Sequence, residues 1–291
     1  MADFADMDGR VALVTGATGG IGRAVACRLG SLGATVVVTG RDRERGRTTV
    51  REIERAGGGG AFFRADFTEM DAVRTLADTF CERYDRLDVL VNNAACSREE
   101  RRLTDDGHEE TFAVNHLAPY LLTHDLIERL RASTPSRIVV TASSVHHRGE
   151  LDFNDLQLTS GYGALDAYAR SKLANVLFTT ELASRLGGTG VTANAVHPGF
   201  VPGSGLYRDA SLPVRAFTTV AARLPRIGTS VEEAAAGLVH LAVAPETADT
   251  TGAYFEGRER TEPDSRAHDE QLRERLWDVS AELVGVDADW P

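Results

Sequence analysis

A chain of 291 residues, 42% hydrophobic and 26% charged, has the composition of a globular protein large enough for one α/β domain. Its formal net charge of -11 disfavours nucleic acid as a partner, because a phosphate backbone repels such a surface unless one face is strongly basic. Here the bases are interleaved with acids, as in Arg41-Asp42-Arg43-Glu44-Arg45, which reads as a solvated helix face. Cys27, Cys81 and Cys96 form no CxxC spacing, so neither a disulfide framework nor a zinc site is expected. The acidic start Met1-Ala2-Asp3-Phe4-Ala5-Asp6 lacks the cationic and apolar regions of a signal peptide, and no apolar run approaches the length of a bilayer. A soluble, cytoplasmic protein with no membrane partner is expected.

Short β-branched runs alternate with longer amphipathic stretches almost to the C-terminus. Val11-Ala12-Leu13-Val14-Thr15 reads as a first strand, followed by a helix over about residues 20–32 that Gly33 ends. Thr35-Val36-Val37-Val38-Thr39 is a second strand, and a charged helix then runs to the punctuation of Gly57 to Gly60. Ala61-Phe62-Phe63-Arg64 and Val89-Leu90-Val91 give strands three and four, with a helix over about 70–84 between them. A long helix over about 105–131 precedes strand five, Arg137-Ile138-Val139-Val140-Thr141-Ala142. Another over about 165–186 precedes strand six, Val191-Thr192-Ala193-Asn194-Ala195-Val196, and Ala253-Tyr254-Phe255 is a seventh. Strands separated by helices of this length make right-handed βαβ units, which build a parallel sheet covered on both faces. With no Pro/Ser linker and no internal repeat, residues 1–291 are expected to form one doubly wound (Rossmann) α/β domain with a parallel seven-stranded sheet.

Two stretches break the rhythm. Residues 200–226 hold Pro202, Gly203, Gly205, Pro213 and Pro225 among apolar residues, the pattern of a substrate lid. Residues 265–284 look like an amphipathic helix with Leu272, Leu276, Val279 and Leu283 on one face, suited to core or subunit contact.

Between the first strand and its helix lies Thr15-Gly16-Ala17-Thr18-Gly19-Gly20-Ile21-Gly22. Glycines there allow a tight turn and close backbone approach, and a helix N-terminus presents unpaired N–H groups with partial positive charge, which together cradle a pyrophosphate. Gly16, Gly20 and Gly22 are spaced TGxxxGxG rather than GxGxxG, with Thr18, Gly19 and Ile21 in the same loop. At the end of the second strand an acid would hold the ribose 2′-hydroxyl of NAD, whereas an Arg accommodates the 2′-phosphate of NADP. Gly40 stands where the acid is expected and Arg41 follows, which favours NADP(H) over NAD(H). Arg23 is a candidate second cation, and Asp42 turning inward is the alternative.

Tyr168-Ala-Arg-Ser-Lys172 places a phenol and an ammonium one turn apart on a helix face. The cation favours the phenolate, and lowering a phenol pKa of about 10 by three units takes about 4 kcal/mol of preferential stabilisation. Such a Tyr can give a proton to a carbonyl oxygen or take one from an alcohol. Ser143-Ser144 ends strand five at the sheet edge where ligands bind, and a Ser there can stabilise charge on a substrate oxygen. Asn115, within Val114-Asn115-His116, can hold a water that relays protons to Lys172.

The glycine loop, Asp66, Asn92-Asn93-Ala94-Ala95, Asn115, Ser143-Ser144, Tyr168 with Lys172, and His197-Pro198-Gly199 occur in the order of the short-chain dehydrogenase/reductase family, which the chain resembles over about residues 9–255. The segments Tyr168 to Phe178, Val196-His197-Pro198-Gly199, Ser144-Val145-His146-His147 and Asp155-Leu156-Gln157 are most similar to its retinol-dehydrogenase-like branch. The resemblance implies an NADP(H)-dependent oxidoreductase that interconverts an alcohol and a ketone or aldehyde by hydride transfer. In that reading Asn115, Ser144, Tyr168 and Lys172 form the catalytic set, with Ser144 rather than Ser143 as its serine. Asp66 and Phe67 would meet the adenine, Asn93 and Ala94 the cofactor ribose, Lys172 the nicotinamide ribose, and Pro198, Gly199 and Val201 the nicotinamide. The two long helices would pair across subunits in a homodimer or homotetramer.

The chain departs from the family in Ala95, where a Gly is common, and in a long gap between Ser144 and Tyr168. With the first strand about ten residues in, no apolar N-terminal anchor is expected, and retinoid chemistry is not carried over. His146, His147 and His197 have no carboxylate or Cys partner at ligand spacing, and no metal is expected. The substrate is a small molecule, apolar or aromatic if Phe200, Leu206, Tyr207, Leu212, Phe217 and Leu224 meet it, with Arg208, Arg215, Arg223 and Arg226 facing water. Two rivals are an epimerase or dehydratase using the same acid/base pair, and a nucleotide-binding regulator with a vestigial site. The complete catalytic set argues against the second.

Overall fold

The computed structural model describes residues 5–202, 204–206 and 228–291. Its strands are β1 (Val11–Val14), β2 (Thr35–Gly40), β3 (Gly59–Arg64), β4 (Val89–Asn92), β5 (Ser136–Thr141), β6 (Val191–His197), β7 (Tyr254–Glu256) and β8 (Glu259–Thr261). They form one sheet in the order β3-β2-β1-β4-β5-β6-β7-β8, parallel throughout except where β8 returns against β7. Every residue of β1 and β4 is buried, as the centre of a parallel sheet requires. One face is covered by α1 (Gly20–Gly30), α2 (Arg43–Arg55) and α7 (Val231–Val243). The other is covered by α3 (Met70–Arg83), α5 (Ala118–Ala132), α6 (Ala164–Arg185) and α8 (Glu270–Val284).

The expected seven parallel strands are thus joined by an eighth, antiparallel one. Glu259-Arg260-Thr261 carries no apolar alternation, the pattern by which strands are read. Its signal was Gly257, at φ +60° in the two-residue connection from β7. Gly59 and Gly60, expected as punctuation, pair with Thr35 and Val36 inside β3. Here glycine answers a close approach, since a Cβ on Gly58 would lie 2.6 Å from both the Ala34 carbonyl oxygen and Gly30 Cα.

The long helix expected from about residue 105 begins at Glu110. An antiparallel bridge between Leu103 and Glu109 occupies the preceding stretch, and the Glu109 carboxylate then caps the helix, accepting from Thr111 N and Phe112 N at 2.8 Å each. The path runs through α4 (Glu110–Phe112), a π-turn (Ala113–Leu117) that contains Asn115, and α5.

In α8 the apolar face is displaced from the expected stripe. Leu276, Trp277, Ser280, Ala281 and Val284 are buried, while Leu272 and Leu283 are only partly so. Trp277 and Trp290 meet Tyr120 edge-on at 5.0 and 5.2 Å between ring centroids, and Trp290 Nε1 donates to Tyr120 Oη at 2.9 Å. With α8 in place, every residue from 111 to 123 and from 169 to 179 is buried. The middle turns of both long helices are thus covered within the chain, while their ends keep exposed residues such as Glu128, Arg131, Leu165 and Ser184. No described helix is long and apolar enough to cross a membrane. Of the expected lid, 203 and 207–226 lie outside the described residues.

Candidate active site

Strand order reverses between β1 and β4, and at their C-terminal ends opens a cleft of about 720 Å3, a volume common for small-molecule sites. Thr15 joins the two strands: its Oγ1 donates to the Val91 carbonyl at 3.2 Å and accepts from Asn93 N and Ala94 N at 2.9 and 3.0 Å. Gly16, at φ +65°, passes so close to this turn that a Cβ would come within 2.8 Å of Ala94 Cα. Gly20, at φ +53°, leaves more room: among the described residues the nearest atoms to a Cβ there are Ser204 Cα and Gly205 N, both at 3.8 Å. No described side chain caps α1, so its first N–H groups are left for a ligand. The loop fits a pyrophosphate, and Gly16, Thr18, Gly19, Gly20, Ile21 and Gly22 all line the cleft.

At the end of β2 the absence of an acid has a steric cause: a Cβ on Gly40 would lie 2.7 Å from Thr18 Cγ2. Arg41 lines the cleft half-exposed, 4.0 Å from the Asp66 carboxylate. The Asp42 carboxylate caps α2, accepting from Arg45 N at 3.0 Å through Oδ1, and also lines the cleft. Arg23 is not the second cation. It pairs with Glu52, Nε to Oε2 at 2.6 Å, away from the cleft. A second arginine on this wall is Arg45, in the first turn of α2, whose guanidinium lies against Gly19 and lines the cleft. Read in sequence, it was one charge in a solvated run. Its signal was a position one helical turn beyond Arg41.

Lys172 is 1% exposed, and its Nζ donates to the Thr141 carbonyl at the end of β5 at 2.8 Å. It lies 5.6 Å from the centroid of the Tyr168 ring, and burial pushes its pKa down to about 8. Tyr168 is half-buried and shares the cleft with it. After β5, Ser143 Oγ accepts from Val145 N at 3.5 Å as the cap of a short 3-10 turn (Ser144–Arg148), whereas Ser144 is exposed to the cleft. Across the cleft stand Asp66, Phe67, Asn93 and Ala94, with Pro198, Gly199 and Val201 after β6.

Asn115 alone of the expected set does not line the cleft. It is 1% exposed and brackets the cleft wall: Oδ1 accepts from Cys96 N at 2.8 Å, and Nδ2 donates to Cys96 O and Ser171 Oγ at 2.9 Å each. Ser171 Oγ in turn donates to the Tyr168 carbonyl at 2.8 Å. Both amide N–H groups are thus spent on holding the wall to the Tyr168 turn. Cys96 is no nucleophile there, as burial pushes its thiol up to about 12. Arg98, a further cleft residue the sequence did not single out, is 6% exposed and meets Glu110 through Nε at 2.8 Å. That partner lies twelve positions away on another element, beyond any local pattern. No group of His, Cys, Asp and Glu among the described residues is arranged to hold a metal.

Residues 10–210 match the short chain dehydrogenase family. The chain belongs to it. Within the short-chain dehydrogenases it is 39% identical over 289 residues to human Retinol dehydrogenase 13, covering 98% of this chain and 87% of that protein. It is 40% identical over 282 residues to human Retinol dehydrogenase 12, covering 96% and 88%. Among solved structures, a protein from Mycobacterium Paratuberculosis superposes with a TM-score of 0.77 at 28% identity over 99% of this chain and 98% of its own. A short chain dehydrogenase from Burkholderia cenocepacia J2315 in complex with NADP gives 0.69 at 30% identity over 87% and 97%. This short-chain dehydrogenase is therefore an oxidoreductase whose sequence is retinol-dehydrogenase-like.

Proposed function

We propose that the protein is an NADP(H)-dependent oxidoreductase interconverting an alcohol and a ketone or aldehyde. The observation that carries the reading is the convergence of Tyr168, Lys172 and Ser144 on the cleft whose other end is the glycine cradle. When bound, the dinucleotide supplies a hydride to the carbonyl carbon or takes one from the alcohol. Tyr168 gives its Oη proton to the carbonyl oxygen, or receives the alcohol's proton in the other direction. Ser144 Oγ donates to the same oxygen and stabilises the charge that develops on it. Lys172, on the next turn of α6, favours the phenolate form of Tyr168 while its ammonium is charged.

The cradle and the N-terminus of α1 hold the pyrophosphate, and Asp66 and Phe67 meet the adenine. Asn93, Ala94 and Lys172 hold the riboses, while Pro198, Gly199 and Val201 flank the nicotinamide. Arg41 and Arg45 stand where a 2′-phosphate would project from β2, and the NADP complex of the Burkholderia relative supports that choice. A small-molecule substrate and a cytoplasmic location complete the reading.

The test is the loss of NADPH absorbance with a panel of ketones and aldehydes. Substrate-dependent oxidation that Tyr168→Phe abolishes is the expected result. Conversion of substrate with no net change in the cofactor would overturn it in favour of epimerisation or dehydration.

A further inference from the structure

One imidazole fastens the turn that carries Ser144 to the C-terminal part of the chain. His146 lies in the Ser144–Arg148 turn and is completely buried, outside the cleft. Its Nδ1 is 2.7 Å from the Ser143 carbonyl oxygen, and its Nε2 is 3.0 Å from the Asp264 backbone nitrogen. A carbonyl only accepts and a backbone N–H only donates. The two contacts therefore admit one form of the ring: protonated at Nδ1, bare at Nε2 and neutral. The Ser143 carbonyl also accepts from the His146 backbone N at 3.0 Å, so a single residue holds it twice. From the other side Arg266 donates to the Gly149 and His147 carbonyls and is held by the Asp264 carboxylate, Nε to Oδ1 at 2.6 Å.

We propose that His146 is a positioning residue: by tying the Ser143–Ser144 peptide to the Asp264 backbone, its ring sets where the Ser144 hydroxyl points. This rests on the reading of Ser144 as the donor to the substrate oxygen. His147, from the same turn, and Tyr254, from β7, face the ring at 4.0 and 4.8 Å between centroids. The Asp264 carboxylate and the Arg266 guanidinium face it from the C-terminal segment. Helix α6 meets the turn at Gly149 with uncharged Ala169 and Leu173, and sends Arg170 to the Glu150 and Asp155 carbonyls.

Burial lowers the affinity of the ring for a second proton, the Ser143 carbonyl opposing it. The group is thus depressed in the fold. Its contribution is present above the ordinary His range and is lost as pH falls through the folded value. A proton added at Nε2 would set two donors face to face at Asp264, so acid opens the latch at that bond and no other.

The test measures carbonyl reduction by NADPH for wild type, His146→Phe and His146→Gln over about pH 5 to 8, where an imidazole titrates. In this direction Tyr168 gives up a proton, and an acid limb is assigned by comparing the His146 and His197 variants. His146→Phe keeps a ring but neither bond. It should lower kcat about ten- to a hundredfold, the scale of a misplaced catalytic group, with the NADPH Kd within about twofold. His146→Gln, which can accept from the Asp264 N–H, should recover part of kcat and lose the acid limb. It carries the test if the phenylalanine variant is unfolded by circular dichroism. His197→Gln, altering the histidine of the cleft, should keep the limb. A limb that persists in His146→Gln, or a folded His146→Phe within twofold of wild-type kcat, overturns the proposal. Amide exchange reads the latch without turnover: the Asp264 N–H should be protected in wild type and open in His146→Phe, and equal protection in both overturns it. A wild type that oxidises NADPH with no carbonyl would count against the functional reading, and the exchange result would still decide the latch.

Discussion

Replacing Arg41 and Arg45 by alanine, singly and together, separates a phosphate clamp from two solvated charges. A charge-assisted hydrogen bond is worth about 1.5–3 kcal/mol when well formed. Arg41 is 52% exposed and shares its guanidinium with the Asp66 carboxylate at 4.0 Å, so solvent screening puts its share just below that range, about 1.4 kcal/mol. That is about tenfold in NADPH affinity for each arginine and up to about a hundredfold for the pair. Both would grip one phosphate, so the double loss should fall short of the product of the singles. NADH carries no such phosphate and should be nearly indifferent. Installing an acid at the end of β2 is the complementary change, but Gly40→Asp alone would drive its Cβ into Thr18, 2.7 Å away. Thr18→Ser with Gly40→Asp removes the obstructing methyl and should shift preference towards NADH. The assay is kcat/KM for both cofactors at one ionic strength. A wild type that prefers NADH, or an Arg41→Ala that weakens both cofactors equally, would refute the clamp.

Three further outcomes follow from the site and the packing. Tyr168→Phe keeps the ring and removes the transferred proton, so turnover should almost vanish with NADPH affinity within a few-fold; more than a tenth of wild-type kcat/KM would sink Tyr168 as the acid/base. Lys172 has a folded pKa of about 8, below its free value, so its contribution to the cofactor-free fold is present above about pH 10.4 and lost as pH falls towards 8. The stability of wild type relative to Lys172→Met, by denaturant titration, should therefore rise with pH across that window, and a flat difference would mean that the ammonium stays charged. Because α8 covers α5 and α6, light scattering at micromolar concentration should give the mass of a monomer, and a dimer would mean that another face associates.

The sheet was legible because its strands are continuous β-branched runs, and a run such as Thr35 to Thr39 has no other stable place than a buried strand. The glycine loop, Tyr168 with Lys172, and Ser144 were legible for a related reason: each is a short pattern whose chemistry depends on neighbours in sequence. What escaped depends on distant partners. The start of the helix at Glu110 is set by the Leu103–Glu109 bridge and the Glu109 cap, neither of which leaves a periodic trace. Asn115 was singled out, but its side-chain hydrogen bonds were not legible, since its partner Cys96 lies on another element. Arg23 and Arg45 are equally basic in sequence, and only Glu52 beside the first and Gly19 beside the second tell them apart. The face of α8 turned by about one residue because Trp277, the larger ring, took the core position beside Tyr120.

The π-turn at Ala113–Leu117 acts as a phase key between two parts of the molecule. It carries one residue more than an α-helical path, and each residue of such a path advances the helix by about 100°. Downstream, α5 is locked into the core by a continuous buried surface and cannot rotate. Upstream, Glu110 is engaged with Arg98, and Glu109 N is donated to Gln157 Oε1 at 2.6 Å. Deleting a residue within the turn would swing those two acids about a third of a circle out of register, whereas replacing one would cost only that residue's own contacts. The surplus residue of the turn thus sets, from inside the core, where Arg98 and Gln157 find their partners at the cleft wall.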